Sequence, residues 1–304
     1  MSCILLTMGG FGCRILRTVI SEGLIIDRVY EPEGVHYPDV YLPQENPLKE
    51  VCLRYGIEYR QTPNINENAQ ELRNLSPRLI MIGTFNQILK KELLDIPKNG
   101  SFNLHLSKLP FYRGRTPTFW AIANAEVETA VTLHLLQHDK IDTGYMYAQE
   151  PVMIEKTDTD GRLRDKLSLT AGRLAAAFLK DASNSKPIKY VSDEHPILPY
   201  RTIAHTYIQW NKKTDDILNL IRASNPWPLS RTTIVDGGEP KTILISSAEC
   251  YPYKNKKGKA GIVEHVYRNG DIEVSLKDGS IMICRVAEPL HGIKAGAVLV
   301  SPQL

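Results

Sequence analysis

The chain has little of what would set it apart from an ordinary globular protein. It has only five cysteines, Cys3, Cys13, Cys52, Cys250 and Cys284, scattered and never spaced as C-x-x-C. That argues against a disulfide framework or a thiolate zinc site, and predicts reduced thiols in a cytoplasmic protein. No apolar run reaches the length that spans a bilayer, so no membrane partner is expected. The opening MSCILLTMGGFG has no charged region before its apolar stretch and no small-residue cleavage site after it, so no secretory signal is expected there. Excess charge of one sign is also missing: 37 Lys+Arg against 34 Asp+Glu leaves +3, too little by itself to point to nucleic acid or a lipid surface. Residues 1–202 hold 24 of each, and the whole excess falls in residues 203–304, with 13 basic and 10 acidic. Internal repeats and low-complexity tracts are absent as well.

What is present is a regular alternation. At 304 residues, with 42% hydrophobic and 23% charged residues, two globular domains are expected. CILLTM (3–8) reads as a buried strand, GGFG as a turn and CRILRTVISEG (13–23) as a helix. LIIDRVY is a second strand, ENPLKEVCLRYG (45–56) a helix with Pro47 in its first turn, and RLIMIG (78–83) and SFNLHLS further strands. Short apolar strands separated by helices imply an α/β fold with a mostly parallel, Rossmann-like sheet covered on both faces. TAVTLHLL (129–136) and YMYAQEPVMI (145–154) add strands, and residues 160–180 carry a helical period. The periodicity breaks over 181–200, which holds three prolines. The expected division is a catalytic domain over 1–182, a linker over 183–202 and a second domain over 203–304. The last opens with a helix near 214–223. It continues as short strands with turns at Asp236-Gly237, Asn269-Gly270 and Asp278-Gly279, the pattern of a small barrel.

The most informative stretch is SFNLHLSKLPFYRGRTP (101–117). Residues two apart on a strand share a face, so Asn103 and His105 project together, away from Phe102, Leu104 and Leu106. An amide and an imidazole side by side suit a developing oxyanion, because the amide donates a hydrogen bond and the imidazole donates one or moves a proton. A satisfied buried polar pair is the plainer reading of either residue alone. Asp142, in KIDTGYM after the next strand, is the candidate third member that orients His105. Asp-x-Gly by itself is turn chemistry.

Together, Asn103-x-His105, Ser107-x-Leu109-Pro110-x-x-x-Gly114 and Asp142-x-Gly144 resemble the family of formyltransferases that use 10-formyltetrahydrofolate. IGTFNQIL resembles its pteridine-binding segment, and LIRASNPWP (220–228) the start of the second domain of its methionyl-tRNA and amino-sugar members. The resemblance spans nearly the whole chain. It implies a Rossmann-like first domain and a small second domain related to the OB fold. It implies catalysis by Asn103, His105 and Asp142, without a covalent intermediate and without a metal. Cofactor contacts are implied at Gln87, Ile88, Leu89, Leu109, Pro110, Asp139 and Ile141. Substrate contacts are implied at Gly10, Tyr112, Arg115 and Thr118.

The acceptor is read from charge. Relatives that formylate methionyl-tRNA carry a long loop rich in Lys and Arg after the second strand. The equivalent EPEGVHYPDVYLPQENP (31–47) has no Lys or Arg, and holds Glu31, Glu33, Asp39 and Glu45. Arg-Gly-Arg-x-Pro at 113–117 resembles the amino-sugar enzymes instead. Arg115 would pair with a pyrophosphate or sugar hydroxyl. Arg113 and Lys108 share its loop, and Tyr112 or Trp120 would stack on a ring. A nucleotide-linked dideoxy amino sugar is therefore the expected substrate, with methionyl-tRNA the alternative. KNKKGK (254–259) is more simply a solvated loop. TMGGFG lacks the full G-x-G-x-x-G spacing and reads as a tight strand-to-helix turn. His134, His138 and Asp139 lack thiol partners, so no metal is expected there. Trp227 is read as a packing anchor. A homodimer through the second domain is left open by the sequence.

Overall fold

The strand β1 (Cys3–Thr7) is buried along its whole length, which places it inside a sheet covered on both sides. Around it the first unit is built from α1 (Gly9–Ser21), β2 (Arg28–Pro32), α2 (Pro47–Arg54), β3 (Glu58–Thr62), α3 (Ala69–Leu75), β4 (Leu79–Gly83), α4 (Lys91–Leu94) and β5 (Ser101–His105). It continues through β6 (Glu128–Leu135), β7 (Gly144–Met153), most of α6 (Asp160–Lys180) and β8 (Lys189–Val191), while α5 (Pro117–Ala123) falls, but for Pro117, in the second unit. These elements come from a computed structural model that describes residues 2–34, 47–138, 140–235, 239–252, 259–288 and 293–301. The eight strands lie in the order β3-β2-β1-β4-β5-β6-β7-β8. The five from β3 to β5 are parallel, and β6, β7 and β8 are antiparallel to their neighbours.

The chain winds outward from β1 to β3, then returns to lay β4 on the other side of β1. Such a reversal of strand order is where open α/β sheets bind ligands, beyond the carboxyl ends of the strands. One face of the sheet packs Ile4, Leu6, Tyr30, Ile80 and Ile82 with Leu72 of α3 and Leu93 of α4. On the other face, α1 lies so close that a Cβ at Gly83 would be 2.5 Å from Ile15 Cδ1.

Two expectations are corrected. Gly9–Gly12 is not a turn ahead of a helix starting at Cys13; it is the first turn of α1 itself. The reason is close approach: a Cβ on Gly12 would meet Thr7 Cγ2 at 2.4 Å, and Thr7 Oγ1 donates to Gly83 O at 2.5 Å. Residues 181–200 are not wholly without structure, because Lys189–Val191 forms β8 on the edge of the sheet.

Compact clustering gives one unit of Met1–Pro117, Glu128–Ile154 and Arg162–Pro199, and a second of Thr118–Val127, Glu155–Gly161 and Tyr200–Leu304. The second unit contains α7 (Thr214–Ala223), β9 (Ser230–Val235), β10 (Lys241–Tyr251), β11 (Val263–Val266), β12 (Ile272–Ser275), β13 (Ile281–Val286) and β14 (Val298–Val300). Its antiparallel order is β11-β12-β13-β10-β9-β14, and an Ile262–Val298 bridge joins the two ends, so the sheet curls toward a barrel. Ile208, Trp210, Ile217, Ile221, Ile245 and Met282 form its core. The expected turns at Asn269-Gly270 and Asp278-Gly279 link β11 to β12 and β12 to β13; Asp236-Gly237 lies outside the described residues. Among the described residues, no helix is long and apolar enough to cross a membrane.

The Gly12 contact yields a test. Gly12→Ala should push Thr7 off the Gly83 carbonyl and lower unfolding free energy by about 1–3 kcal/mol, read by denaturant titration; an unchanged midpoint would contradict the packing described.

Candidate active site

β5 carries an amide and an imidazole among its apolar residues. Its register sets Asn103 beside Ile82 on one side and opposite His134 on the other, while His105 lies opposite Thr132. Phe102 points to the opposite face, where its ring meets Phe178 of α6 at 4.6 Å. The period-2 expectation for Asn103 and His105 therefore matches the fold.

The four polar groups then meet. His105 is 7% exposed; its Nε2 donates to the Tyr112 carbonyl at 3.1 Å, and its Nδ1 lies 3.4 Å from Asp142 Oδ1. Asp142 Oδ1 is also 3.9 Å from His134 Nε2, and its Oδ2 accepts the Gly114 backbone N–H at 2.8 Å. Asn103 Nδ2 faces His134 Nε2 at 3.4 Å, and His134 Nδ1 faces the Thr143 carbonyl at 3.0 Å.

These partners settle the state of His134. A carbonyl only accepts, so Nδ1 carries the proton and Nε2 offers its lone pair to the Asn103 amide. Burial holds the ring neutral: it is fully enclosed, and its pKa is pushed down to about 4 chiefly by desolvation, with Asp142 opposing and His105 assisting. His134 was missed from sequence, where it suggested only a metal ligand; its role depends on strand register. Thr132 supports the same corner, since its hydroxyl donates to Ser107 O at 2.6 Å and receives Gln149 Nε2 at 2.9 Å.

The loops around this cluster are strained. Thr84, Tyr112 and Asp142 hold φ of 58°, 58° and 51°, a region that non-glycine residues enter at a cost of order 1–3 kcal/mol and that gathers at functional sites. Gln87 does not face outward with its amide: Oε1 accepts Ile65 N at 2.6 Å, and Nε2 donates to Pro63 O at 3.1 Å. It fixes residues 84–90 to the loop after β3. Ile88 and Ile141 are 75% and 43% exposed, whereas Leu89 packs on the sheet core. Leu109 is buried with Met146 and Val191, and Pro110 follows it in the same loop. Asp139 lies outside the described residues.

On the substrate side, Gly10 is buried in the first turn of α1, and Arg115 is exposed. Thr118 belongs to the second unit, where its hydroxyl donates to Asp160 at 2.5 Å. Arg113 is 3% exposed and bonds to the Ile141 and His195 carbonyls, and Lys108 pairs with Glu128 at 2.6 Å. Trp227, 45% exposed, covers the Arg201 guanidinium at 5.5 Å within the second unit.

Comparisons with known proteins follow the same lines. Residues 35–176 match the family profile described as formyl transferase, and residues 202–294 match its C-terminal domain. Methionyl-tRNA formyltransferase of Clostridium acetobutylicum is 34% identical over 247 residues, covering 80% of this chain and 77% of that protein. The enzyme of the same name from Trichlorobacter lovleyi is 34% identical over 278 residues, covering 90% and 85%. Among solved structures, WlaRD, a sugar 3N-formyl transferase crystallised with dTDP and 5-N-formyl-THF, aligns with TM-score 0.67 at 20% identity over 95% of this chain and 99% of its own. An N-formyltransferase from Helicobacter canadensis, in complex with folinic acid and dTDP-3-aminofucose, gives 0.67 at 20% identity over 94% and 98%. At that identity the structures speak for the fold.

The neutral His134 predicts a pH dependence. Its folded pKa lies below the usual value near 6.5, so the unfolded chain binds the proton first as pH falls. The stability this group contributes is complete above about 6.5 and is lost progressively toward pH 4. Melting temperatures between pH 7 and 4.5 should fall less steeply in His134→Gln than in the unsubstituted protein; parallel curves would contradict a buried neutral ring.

Proposed function

We propose that this chain, which belongs to the formyl transferase family, moves a formyl group from 10-formyltetrahydrofolate to the primary amine of a nucleotide-linked dideoxy amino sugar. The observation that carries the reading is the meeting of Asn103, His105 and Asp142 above a buried neutral His134.

The residues present fit the folate. In the segment after β4, Thr84 Oγ1 and Asn86 Oδ1 are buried and have no hydrogen-bond partner among the described residues, and Ile88 leaves an apolar side chain exposed beside them in sequence. A heterocycle with donors and acceptors on its edge and apolar faces suits such a segment. Gln87, Leu89, Leu109, Pro110 and Ile141 would shape the site around it, Gln87 by fixing the loop. When bound, the folate supplies a formyl group activated on nitrogen. Asn103 has a second amide N–H besides the one facing His134, and donates it toward the formyl oxygen as charge develops there. With folate bound, His105 would offer to the same oxygen the Nε2–H that here meets the Tyr112 carbonyl. Asp142 fixes the His105 ring and takes up the proton that the attacking amine loses. The balance would be one C–N bond formed to the amine and the bond to N10 broken, with the amine's proton passed to N10. Holding the reactants in this geometry, in place of any covalent step, lowers the barrier.

Charge supports the sugar as acceptor. The segment 31–47 has no Lys or Arg. Glu31 at the end of β2 is 8% exposed, and its carboxylate accepts the Gly9 N–H at 2.7 Å and the Tyr59 hydroxyl at 2.5 Å. That puts negative charge at the start of α1, where a phosphate backbone would otherwise be welcome. Arg115 would pair with a pyrophosphate, with Gly10 and Tyr112 of the same unit as further acceptor contacts. Methionyl-tRNA is the second reading, favoured by the names of relatives 34% identical over most of the chain.

Two measurements test these statements. Asn103→Ala and Asp142→Asn should bind folate nearly as before while turnover falls about 10²–10³-fold, the worth of one oxyanion donor; near-normal turnover in both would remove the assignment. Tetrahydrofolate release should be stimulated by amino-sugar nucleotides with weak salt dependence. Stimulation by methionyl-tRNA alone, lost steeply as salt rises, would replace the sugar reading.

A further inference from the structure

We propose that Arg113 is a positioning residue for the transfer reaction, and that residues 193–198 form part of the same clamp on Asp142; this rests on the reading of Asn103, His105 and Asp142 as the transfer site. From sequence, a guanidinium in the loop after β5 reads as facing an anionic substrate. It is turned inward instead. Arg113 Nε and Nη2 both donate to the Ile141 carbonyl, at 2.9 and 2.6 Å, and Nη1 donates to the His195 carbonyl at 2.6 Å. All three guanidinium nitrogens are thus spent on backbone, and the side chain is nearly inaccessible.

The target of this grip explains its purpose. Ile141 immediately precedes Asp142, whose φ of 51° is a conformation a non-glycine residue keeps only when its surroundings enforce it. Arg113 holds the carbonyl just before that residue, and Gly114 holds its carboxylate through the 2.8 Å bond to Oδ2. Two successive residues therefore leave Oδ1 aimed at His105.

The clamp has a third side. Arg113 pairs with Ile197 in a parallel bridge, and Leu198 N–H donates to Arg113 O at 2.9 Å. Phe111 and His195 rings lie 4.6 Å apart, and Lys140 pairs with Asp193 at 2.9 Å. Gly114 admits this segment: its φ is 115°, and a Cβ would stand 2.8 Å from Leu198 O. A segment outside the motifs of residues 101–117 and 140–144 thus helps fix the Asp142 carboxylate. Lysine, a point charge on a flexible stem, cannot serve both carbonyls as the planar fork does.

The test compares Arg113→Lys and Arg113→Ala in the full chain, following tetrahydrofolate release and amide hydrogen exchange by NMR. A displacement near 1 Å costs about 10²-fold in rate, so kcat should drop about tenfold in the lysine variant and about a hundredfold in the alanine variant. KM for either substrate should stay within about twofold. Guanidinium ion at a non-denaturing concentration should recover part of the alanine variant's kcat. The Gly114 amide should lose protection while those of β1 and β4 keep theirs. Values of kcat within about twofold of the unsubstituted protein, or a Gly114 amide that stays protected, would overturn the proposal. If Arg113→Ala does not fold, the lysine variant decides alone. If the unsubstituted protein transfers no formyl group to any amine, the site reading fails, and the Gly114 exchange still decides whether Arg113 holds Asp142.

Discussion

The approach of the Asp142 carboxylate to the His105 ring is the contact that the surrounding structure is built to hold. It brings together a strand residue and a residue of a separate loop, with left-handed backbone at the carboxylate. Neither side would stay in place by local preference. β5 is fixed by pairing with β4 and β6, and the loop is fixed by Arg113, Gly114 and the 193–198 segment. Behind both sits His134, neutral because it is buried, accepting from Asn103 and donating to the backbone beside Asp142. A charged ring there would have opposed any positive charge on His105; a neutral one does not.

The same economy shapes the acceptor side. A negative side chain, Glu31, lies at the opening turn of α1, and in the loop after β5 Arg113 is buried and Lys108 is paired with Glu128. The family's relatives at 34% identity and its solved structures carry different acceptors in their names.

Much of this was legible in the sequence, for identifiable reasons. β1, β4, β5 and β6 announce themselves as apolar runs because a central strand is covered on both faces. β3 carries Glu58, Arg60 and Gln61 at the edge of the sheet, so the same signal is absent and the strand was not expected. β8 is three residues inside a proline-rich stretch and exists only because β7 offers a free edge. The start of α1 was misread because its glycines signal a turn locally, while their use is to let the helix approach Thr7. At the site, the strand period placed Asn103 and His105 together, and the family resemblance singled out Asp142, which Asp-x-Gly alone would have left as a turn residue. His134 and Arg113 were beyond reach, since one depends on which strand pairs with β5 and the other on carbonyls 28 and 82 residues away.

The central claim is that a formyl group is handled where these polar chains converge, and a crystal structure with 5-formyltetrahydrofolate, an isomer that carries its formyl group on N5 of the pteridine instead of on N10, tests it most directly. The account predicts the pteridine against residues 84–89, with Asn103 Nδ2 and His105 in hydrogen-bond reach, about 3 Å, of the space where the transferable group would lie. Folate bound elsewhere on the chain, with Asp142 turned from the His105 ring, would contradict it.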